Sequence, residues 1–255
     1  METDKWKMVN TLKFKSVEVE DLRVLLWDLD GTLVRGKRFG TFKDYTVPML
    51  ESVFGTAGAL REMVVSGMTD LQIIEEALRC KGITREHISA RKDELKRCYI
   101  EQMKLAVSNG AHIIEAMPGA REALQAVHDH PRYQSALLTG NIEPAAYLKV
   151  EITGLADFFT LPGAFGDESF DRRDLPVLAA ERISRQLTAD LLPEQFIVIG
   201  DTPNDVACAR HFGARVVAVG TGRVHSIDEL RACEPDALLP DLLDVELFIR
   251  TLDAM

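Results

Sequence analysis

Val24-Leu25-Leu26-Trp27-Asp28-Leu29-Asp30-Gly31-Thr32 opens on four consecutive apolar residues and closes on two carboxylates, a glycine and a hydroxyl. A short unbroken apolar run suits a strand covered on both faces, as inside a parallel sheet, whereas a half-exposed strand would alternate. Three later runs have the same character: Ser135-Ala136-Leu137-Leu138, Phe196-Ile197-Val198-Ile199 and Val216-Val217-Ala218-Val219. Helix-like sequence separates them. Over residues 120–128, Leu124 and Val127 keep helical spacing behind the helix start Pro118-Gly119. A second helix over 144–152 runs towards Gly154, where a left-handed cap is wanted, and a third over 203–211 runs towards Gly213. Strands alternating with helices imply an α/β fold: a doubly wound, Rossmann-like parallel sheet with helices on both faces.

Residues 36–116 differ in character. They carry helix signals and no convincing strand, and read as an α-helical cap domain inserted into a core built from residues 1–35 and 117–255. Thr69 and Gln72 have capping-box spacing ahead of Leu71, Ile74 and Leu78, and residues 84–107 are rich in Arg, Lys and Glu. Residues 1–20 are mixed and charged and read as a tail or an edge element.

With 255 residues and 46% apolar content, the chain can bury a large core and carry an insertion. A formal charge of −10 argues against nucleic acid or an anionic membrane as partner, since either favours a basic face. An anionic substrate then needs locally placed cations or a metal. Cys80, Cys98, Cys208 and Cys233 are far apart and form no C-x-x-C pair, so they read as reduced thiols. No apolar stretch approaches the roughly 20 residues of a spanning helix. The start Met1-Glu2-Thr3-Asp4-Lys5-Trp6 lacks a signal peptide's apolar run, and a cytoplasmic protein is expected.

In an open parallel sheet, ligands bind beyond the carboxyl ends of the strands. The residues that follow the apolar runs there are Asp28-Leu29-Asp30-Gly31-Thr32, Thr139-Gly140-Asn141 and Gly200-Asp201-Thr202-Pro203-Asn204-Asp205. Carboxylates crowded in this way repel one another unless a cation is present, and hard oxygen donors favour Mg²⁺. Mg²⁺ keeps water and takes few carboxylates, so Asp28, Asp201 and Asp205 suffice as candidate ligands. Asp28 is then the candidate nucleophile towards phosphorus. Asp30, two residues on, could protonate the departing oxygen and activate water. Gly31 permits an unusual backbone turn, and Thr139 with the backbone of Gly140 and Asn141 could hold the phosphoryl group. Each piece also has a plain structural reading. Asp-Gly after a strand is ordinary turn chemistry, and acidic residues are favoured at the helix start near Pro203.

Taken together, these motifs resemble the haloacid dehalogenase superfamily, in its phosphoglycolate-phosphatase-like branch with a helical cap. The resemblance runs from Val24 to about Asp244. It also takes in Met117-Pro118-Gly119-Ala120 and Gly154-Leu155-Ala156-Asp157-Phe158-Phe159. It implies a nucleophile at Asp28, a general acid/base at Asp30 and phosphoryl contacts from Thr139. It further implies Mg²⁺ held by Asp28, the Asp30 backbone carbonyl and Asp201, with Asp205 in support. One departure stands out: where the family usually has a lysine, this chain reads Asp171-Arg172-Arg173-Asp174-Leu175-Pro176. Arginine can do the same electrostatic work, and Arg172 is preferred over Arg173. Lys149 is a second candidate, but its helical setting predicts an exposed side chain.

The implied reaction is hydrolysis of a phosphate monoester on a small phosphorylated metabolite, phosphoglycolate-like, through an aspartyl-phosphate. Haloacid dehalogenation and sugar-phosphate mutation are the alternatives on the same fold. Asp30, Asp201 and Asp205 weigh against the first; the second shares the full set of carboxylates. In the cap, Gly67-Met68-Thr69-Asp70 resembles a loop that faces the active site, which makes Thr69 a candidate substrate contact, although a helix N-cap role also explains it. Arg35, Lys37, Arg38 and Arg61 could each recognise a carboxylate or second phosphate, or simply be solvated.

Overall fold

The computed structural model describes residues 18–255, so most of the opening segment read as a tail or edge element lies outside the described residues. In chain order the elements are β1 (Arg23–Trp27), β2 (Val34–Gly36), α1 (Lys43–Phe54), α2 (Asp70–Leu78), α3 (Arg85–Ala90) and α4 (Lys92–Ser108). There follow β3 (Ile114–Ala116), α5 (Ala120–Asp129), β4 (Tyr133–Thr139), α6 (Glu143–Ile152), β5 (Ala164–Phe165) and α7 (Leu175–Leu187). The chain closes with β6 (Phe196–Gly200), α8 (Pro203–Phe212), β7 (Arg215–Val219), α9 (Ile227–Ala232), β8 (Ala237–Leu239) and α10 (Val245–Asp253).

The main sheet has the order β5-β4-β1-β6-β7-β8, with every pairing parallel. The chain leaves β1 towards β4 and β5, then returns to the other side of β1 for β6, β7 and β8. That reversal is the doubly wound topology, and it opens a crevice between the carboxyl ends of β1 and β6. The four unbroken apolar runs are β1, β4, β6 and β7. Successive side chains on a strand point to opposite faces, so both faces of these strands must be covered. Leu25, Trp27, Ile197 and Ile199 pack on one side with Leu124, Val127, Phe248 and Leu252 of α5 and α10. Val24, Leu26 and Val198 pack on the other with Ala179, Ile183, Val206 and Ala209 of α7 and α8. The edge strands β5 and β8 are two and three residues long, too short to register as apolar runs.

Between β2 and β3 the chain forms the four helices α1 to α4. The charged run over 84–107 is two helices, divided at Arg91 (φ −114°). Tyr45 of α1 meets Tyr99 of α4 edge-on, with centroids 5.3 Å apart. At the base of this segment, where the sequence carries no convincing strand signal, lies an antiparallel ribbon pairing Val34 with Ala116, Arg35 with Glu115 and Gly36 with Ile114. Three-residue strands offer no alternation to detect. Among the described residues, no helix is long and apolar enough to cross a membrane.

Trp27 ties β1 to α10 and to β4 on one face of the sheet. Its ring lies 5.6 Å from Phe248, and its Nε1–H donates to Ser135 Oγ at 3.1 Å. Trp27→Ala should cost about 3–5 kcal/mol through the cavity it leaves and the orphaned hydroxyl, read as a lowered urea midpoint.

Candidate active site

Asp28 continues β1 by one residue, and its N–H donates to Ile199 O at 2.8 Å, extending the ladder with β6. Its side chain therefore emerges beside the loop that carries Asp201 and Asp205. Ligand oxygens of these three buried carboxylates lie within 4.8 Å of one another. Burial drives the Asp28 carboxyl up to about 7, with Asp205 adding to the rise and Arg172 opposing it. Burial, and then the charges of Asp28 and Asp205, hold Asp201 well above the ordinary carboxylate range.

Arg172 stands where the sequence put its preferred cation. It is buried, and its Nη2 donates to Asp28 Oδ1 (2.6 Å) and Asp205 Oδ1 (2.5 Å). The other oxygen of Asp205 accepts from Thr202 N (3.0 Å) and Thr202 Oγ1 (2.7 Å), the capping box that starts α8. Asp205 is thus committed on both oxygens. Asp201 Oδ1 accepts from Thr32 Oγ1 at 3.2 Å. Among the described residues no hydrogen bond reaches Asp28 Oδ2 or Asp201 Oδ2. Gly31 and Gly222 hem Asp201 in: a Cβ on them would lie 2.4 and 2.1 Å from its Oδ2. Gly31 also holds φ +97°, so glycine is required there twice over. A divalent cation with oxygen preference fits this donor set, with Asp28 and Asp201 offering oxygens and Asp205 acting through Arg172. Arg173, by contrast, is exposed and pairs with Asp171 at 2.6 Å.

Lys149 overturns the expectation of an exposed side chain. It is 4% exposed, and its Nζ donates to both oxygens of Asp30 (2.8 and 2.6 Å) and to Asn141 Oδ1 (2.7 Å). The physical reason is helical phase: Ala145, Ala146, Lys149 and Val150 form the buried stripe of α6, and Lys149 is one turn on from Ala145. Asp30 faces the cavity with about half its side chain open. Enclosure pushes its carboxyl up, but the Lys149 charge and the hydrogen bonds from Lys149 and Asn141 outweigh that and hold it below its usual range. Asn141 Nδ2 donates to Asp30 Oδ2 (2.6 Å) and to Thr139 Oγ1 (2.8 Å). Its amide is therefore spent within the cluster, tethering Asp30 and Thr139.

Thr69 and Gly140 belong to the contact between the helical segment and the sheet. Thr69 Oγ1 accepts from Gln72 N (3.1 Å) as the N-cap of α2 and donates to Ser169 O (2.9 Å), which accounts for its hydroxyl. Asp70 N donates to Gly140 O (2.7 Å), while Asp70 Oδ2 accepts from Ile142 N (2.8 Å). A Cβ on Gly140 would lie 2.1 Å from Met68 O, and one on Gly166 would lie 1.6 Å from Gly140 O. Glycine at both positions lets the two backbones touch.

The walls so formed enclose a cavity of about 390 Å³, lined at its base by Asp28, Asp30, Thr139, Lys149, Arg172 and Asp201. Of the four cations proposed for substrate recognition, Lys37 pairs with Glu115, Arg38 with Asp44 and Arg61 with Glu51 in exposed settings. Arg35 lines the cavity.

Residues 22–213 match the family model described as haloacid dehalogenase-like hydrolase. The phosphoglycolate phosphatase of Vibrio vulnificus is 23% identical over 248 residues, covering 89% of this chain and 97% of that protein. Among solved structures, a hydrolase from Pseudomonas syringae matches with TM-score 0.63 and 23% identity, over 92% of this chain and 99% of that one. The β-phosphoglucomutase of Clostridium difficile matches with TM-score 0.61 and 14% identity, over 91% and 98%. At these identities the structures establish a common fold.

Gly140→Ala should lift the 66–70 loop off the sheet. Amide exchange at Asp70 and Leu71, whose N–H groups bond across this contact, should accelerate about 10-fold or more at an unchanged global unfolding midpoint.

Proposed function

This chain belongs to the haloacid dehalogenase-like hydrolases, and on that footing we propose that it is a Mg²⁺-dependent phosphatase acting on a small phosphate monoester, phosphoglycolate-like, through an aspartyl-phosphate on Asp28. The observation that carries the reading is the Arg172 clamp on Asp28 and Asp205, beside Asp201 and facing Asp30 across one cavity. We read residues 1–35 and 117–255 as the catalytic core and 36–116 as the cap that covers it.

Bound Mg²⁺, held by Asp28, the Asp30 carbonyl and Asp201, would neutralise the crowded carboxylates and the phosphoryl oxygens. Arg172 keeps one Asp28 oxygen in place and presents the rest of its guanidinium to the phosphoryl group; among the described residues its Nε is buried without a hydrogen-bond partner. The free oxygen of Asp28 attacks phosphorus, the bond from phosphorus to the leaving oxygen breaks, and that oxygen takes a proton from the Asp30–Lys149 pair. Water then attacks the aspartyl-phosphate, gives its proton back to Asp30, and releases phosphate and the Asp28 carboxylate. Thr139, fixed by Asn141, lines the phosphoryl end of the cavity. The loop docked over Gly140 contributes Gly67, Met68 and Asp70 to the wall of this cavity.

Three outcomes follow from this reading. The protein should release phosphate from an aryl phosphate with Mg²⁺ and stop when the ion is chelated; release indifferent to EDTA removes the metal from the scheme. Asp28→Asn should lower kcat by about 10⁴-fold or more while leaving the urea midpoint within about 1 kcal/mol of wild type. Arg172→Ala should lower kcat by about 10²–10³-fold, Arg173→Ala by less than about 3-fold, and Arg172→Lys should recover part of the loss. Steady-state rates on one aryl phosphate compare all three.

A further inference from the structure

Among the described residues, three side-chain nitrogens are buried without a hydrogen-bond partner: Arg35 Nε, His112 Nε2 and Arg172 Nε. All three residues line the same cavity. A protein ordinarily satisfies its buried polar atoms, so three unmet ones around one cavity point to a ligand that meets them. Arg172 is accounted for by the phosphoryl group. The other two come from the ribbon at the base of the helical segment, Arg35 at the centre of β2 and His112 two residues before β3.

Arg35 is unusual among the cavity's cations. Arg38 pairs with Asp44, Lys43 donates to Arg61 O and Met63 O, and Arg223 donates to Gly36 O. Among the described residues Arg35 has neither an ion pair nor a hydrogen bond. The carboxylate directly opposite it in the ribbon, Glu115, pairs with Lys37 instead, at 3.9 Å. A guanidinium in this position is an uncompensated, always-charged fork that matches a carboxylate or phosphate in shape.

His112 is held differently. Its Nδ1 lies 2.7 Å from Thr41 Oγ1 and its ring sits 5.1 Å from Tyr45; Gly36 leaves room for the Thr41 hydroxyl, since a Cβ there would come 2.7 Å from that oxygen. Burial, aided by the Lys149 charge, pushes its imidazolium down to about 4. The ring is therefore neutral near pH 7 and offers Nε2 for a single hydrogen bond. His112 lines the same cavity as Asp30 and Lys149.

We propose that Arg35 and His112 form the leaving-group subsite, Arg35 pairing with an anionic group on the alcohol half of the ester and His112 Nε2 fixing a neighbouring oxygen. The inference rests on the phosphate-monoester reading above and narrows it to substrates carrying a second negative charge. It also moves specificity away from the loop at Gly67 to Asp70, whose hydroxyl and carboxylate are spent on docking, to the ribbon that links the two parts of the chain. A cavity of about 390 Å³ leaves room for such a group beyond the phosphoryl.

The test uses the full chain with Mg²⁺ and a matched pair of esters, phenyl phosphate and 4-carboxyphenyl phosphate, together with calorimetric titration of the free product 4-hydroxybenzoate against phenol. Wild type should favour the carboxylated ester by about 10- to 100-fold in kcat/KM and bind 4-hydroxybenzoate more tightly than phenol. In Arg35→Ala the ratio of the two esters should fall to near one whatever the absolute rate, and Arg35→Lys should keep part of the preference. His112→Phe, which retains ring packing, should raise KM for the carboxylated ester. A wild type with no preference in turnover or in product binding overturns the subsite, as does an Arg35→Ala variant that slows both esters equally. A wild type that binds 4-hydroxybenzoate through Arg35 but hydrolyses neither ester upholds the subsite and overturns the phosphatase reading.

Discussion

Three buried carboxylates within 4.8 Å of one another, two of them bridged by one guanidinium, are the constraint around which this site is arranged. Strands β1 and β6 run side by side in parallel with Trp27 opposite Ile199, so the residues that follow them, Asp28 and Asp201, must emerge together. The α8 capping box brings Asp205 to the same point, and a Cβ on Gly200 would lie 2.1 Å from its Cγ, so only glycine fits there. Desolvation alone would drive these groups to take up protons. Arg172 offsets part of that cost by bridging Asp28 and Asp205. A buried ion pair is weak evidence for stability, since the charges lose as much hydration as they gain in attraction. Its retention here is better explained by the need to hold a nucleophilic oxygen at a fixed place with its charge intact.

The same economy governs the contact that closes the cavity. Met68 and Asp70 lie against Gly140 and Gly166 so closely that any side chain at either glycine would part them. Backbone-to-backbone docking leaves few side chains free on the loop that faces the site. Thr69 and Asp70 use their polar groups on Ser169, Gln72 and Ile142. Two of the three unmet buried nitrogens around the cavity, those of Arg35 and His112, lie instead on or beside the β2–β3 ribbon.

The readability of the sequence followed the physics of each element. Unbroken apolar runs revealed β1, β4, β6 and β7 because burial on both faces demands them, and the acidic residues after each run followed from where a parallel sheet binds ligands. The two-residue β5, the three-residue β8 and the β2–β3 ribbon carry too few residues for any pattern. Arg172 was legible by its place before a helix; that it clamps both Asp28 and Asp205 was not, since the contact joins residues far apart in the chain. Lys149 is buried although a lone lysine in a helix usually lies in water. The signal was present in its spacing from Ala145 and Val150, but an alanine-rich stripe is a faint mark of a buried face. The Asn141 amide and the Thr69 hydroxyl bond to neighbours, Asp30 and Ser169 among them, that only the folded chain supplies.

Lys149 and Arg172 then differ in what they do to the carboxylates they hold. Arg172 serves Asp28 in a crowd of like charges, where its effect is to moderate a rise that burial and Asp205 impose. Lys149 serves Asp30 alone, with Asn141 as a second donor, and there it prevails over enclosure and keeps the carboxylate ionised. Asp30 in turn raises the affinity of the Lys149 ammonium for its proton, so the pair is held in its charged form. Two aspartates separated by one residue are in this way given different proton affinities by two cations, one from α6 and one from the turn ahead of α7.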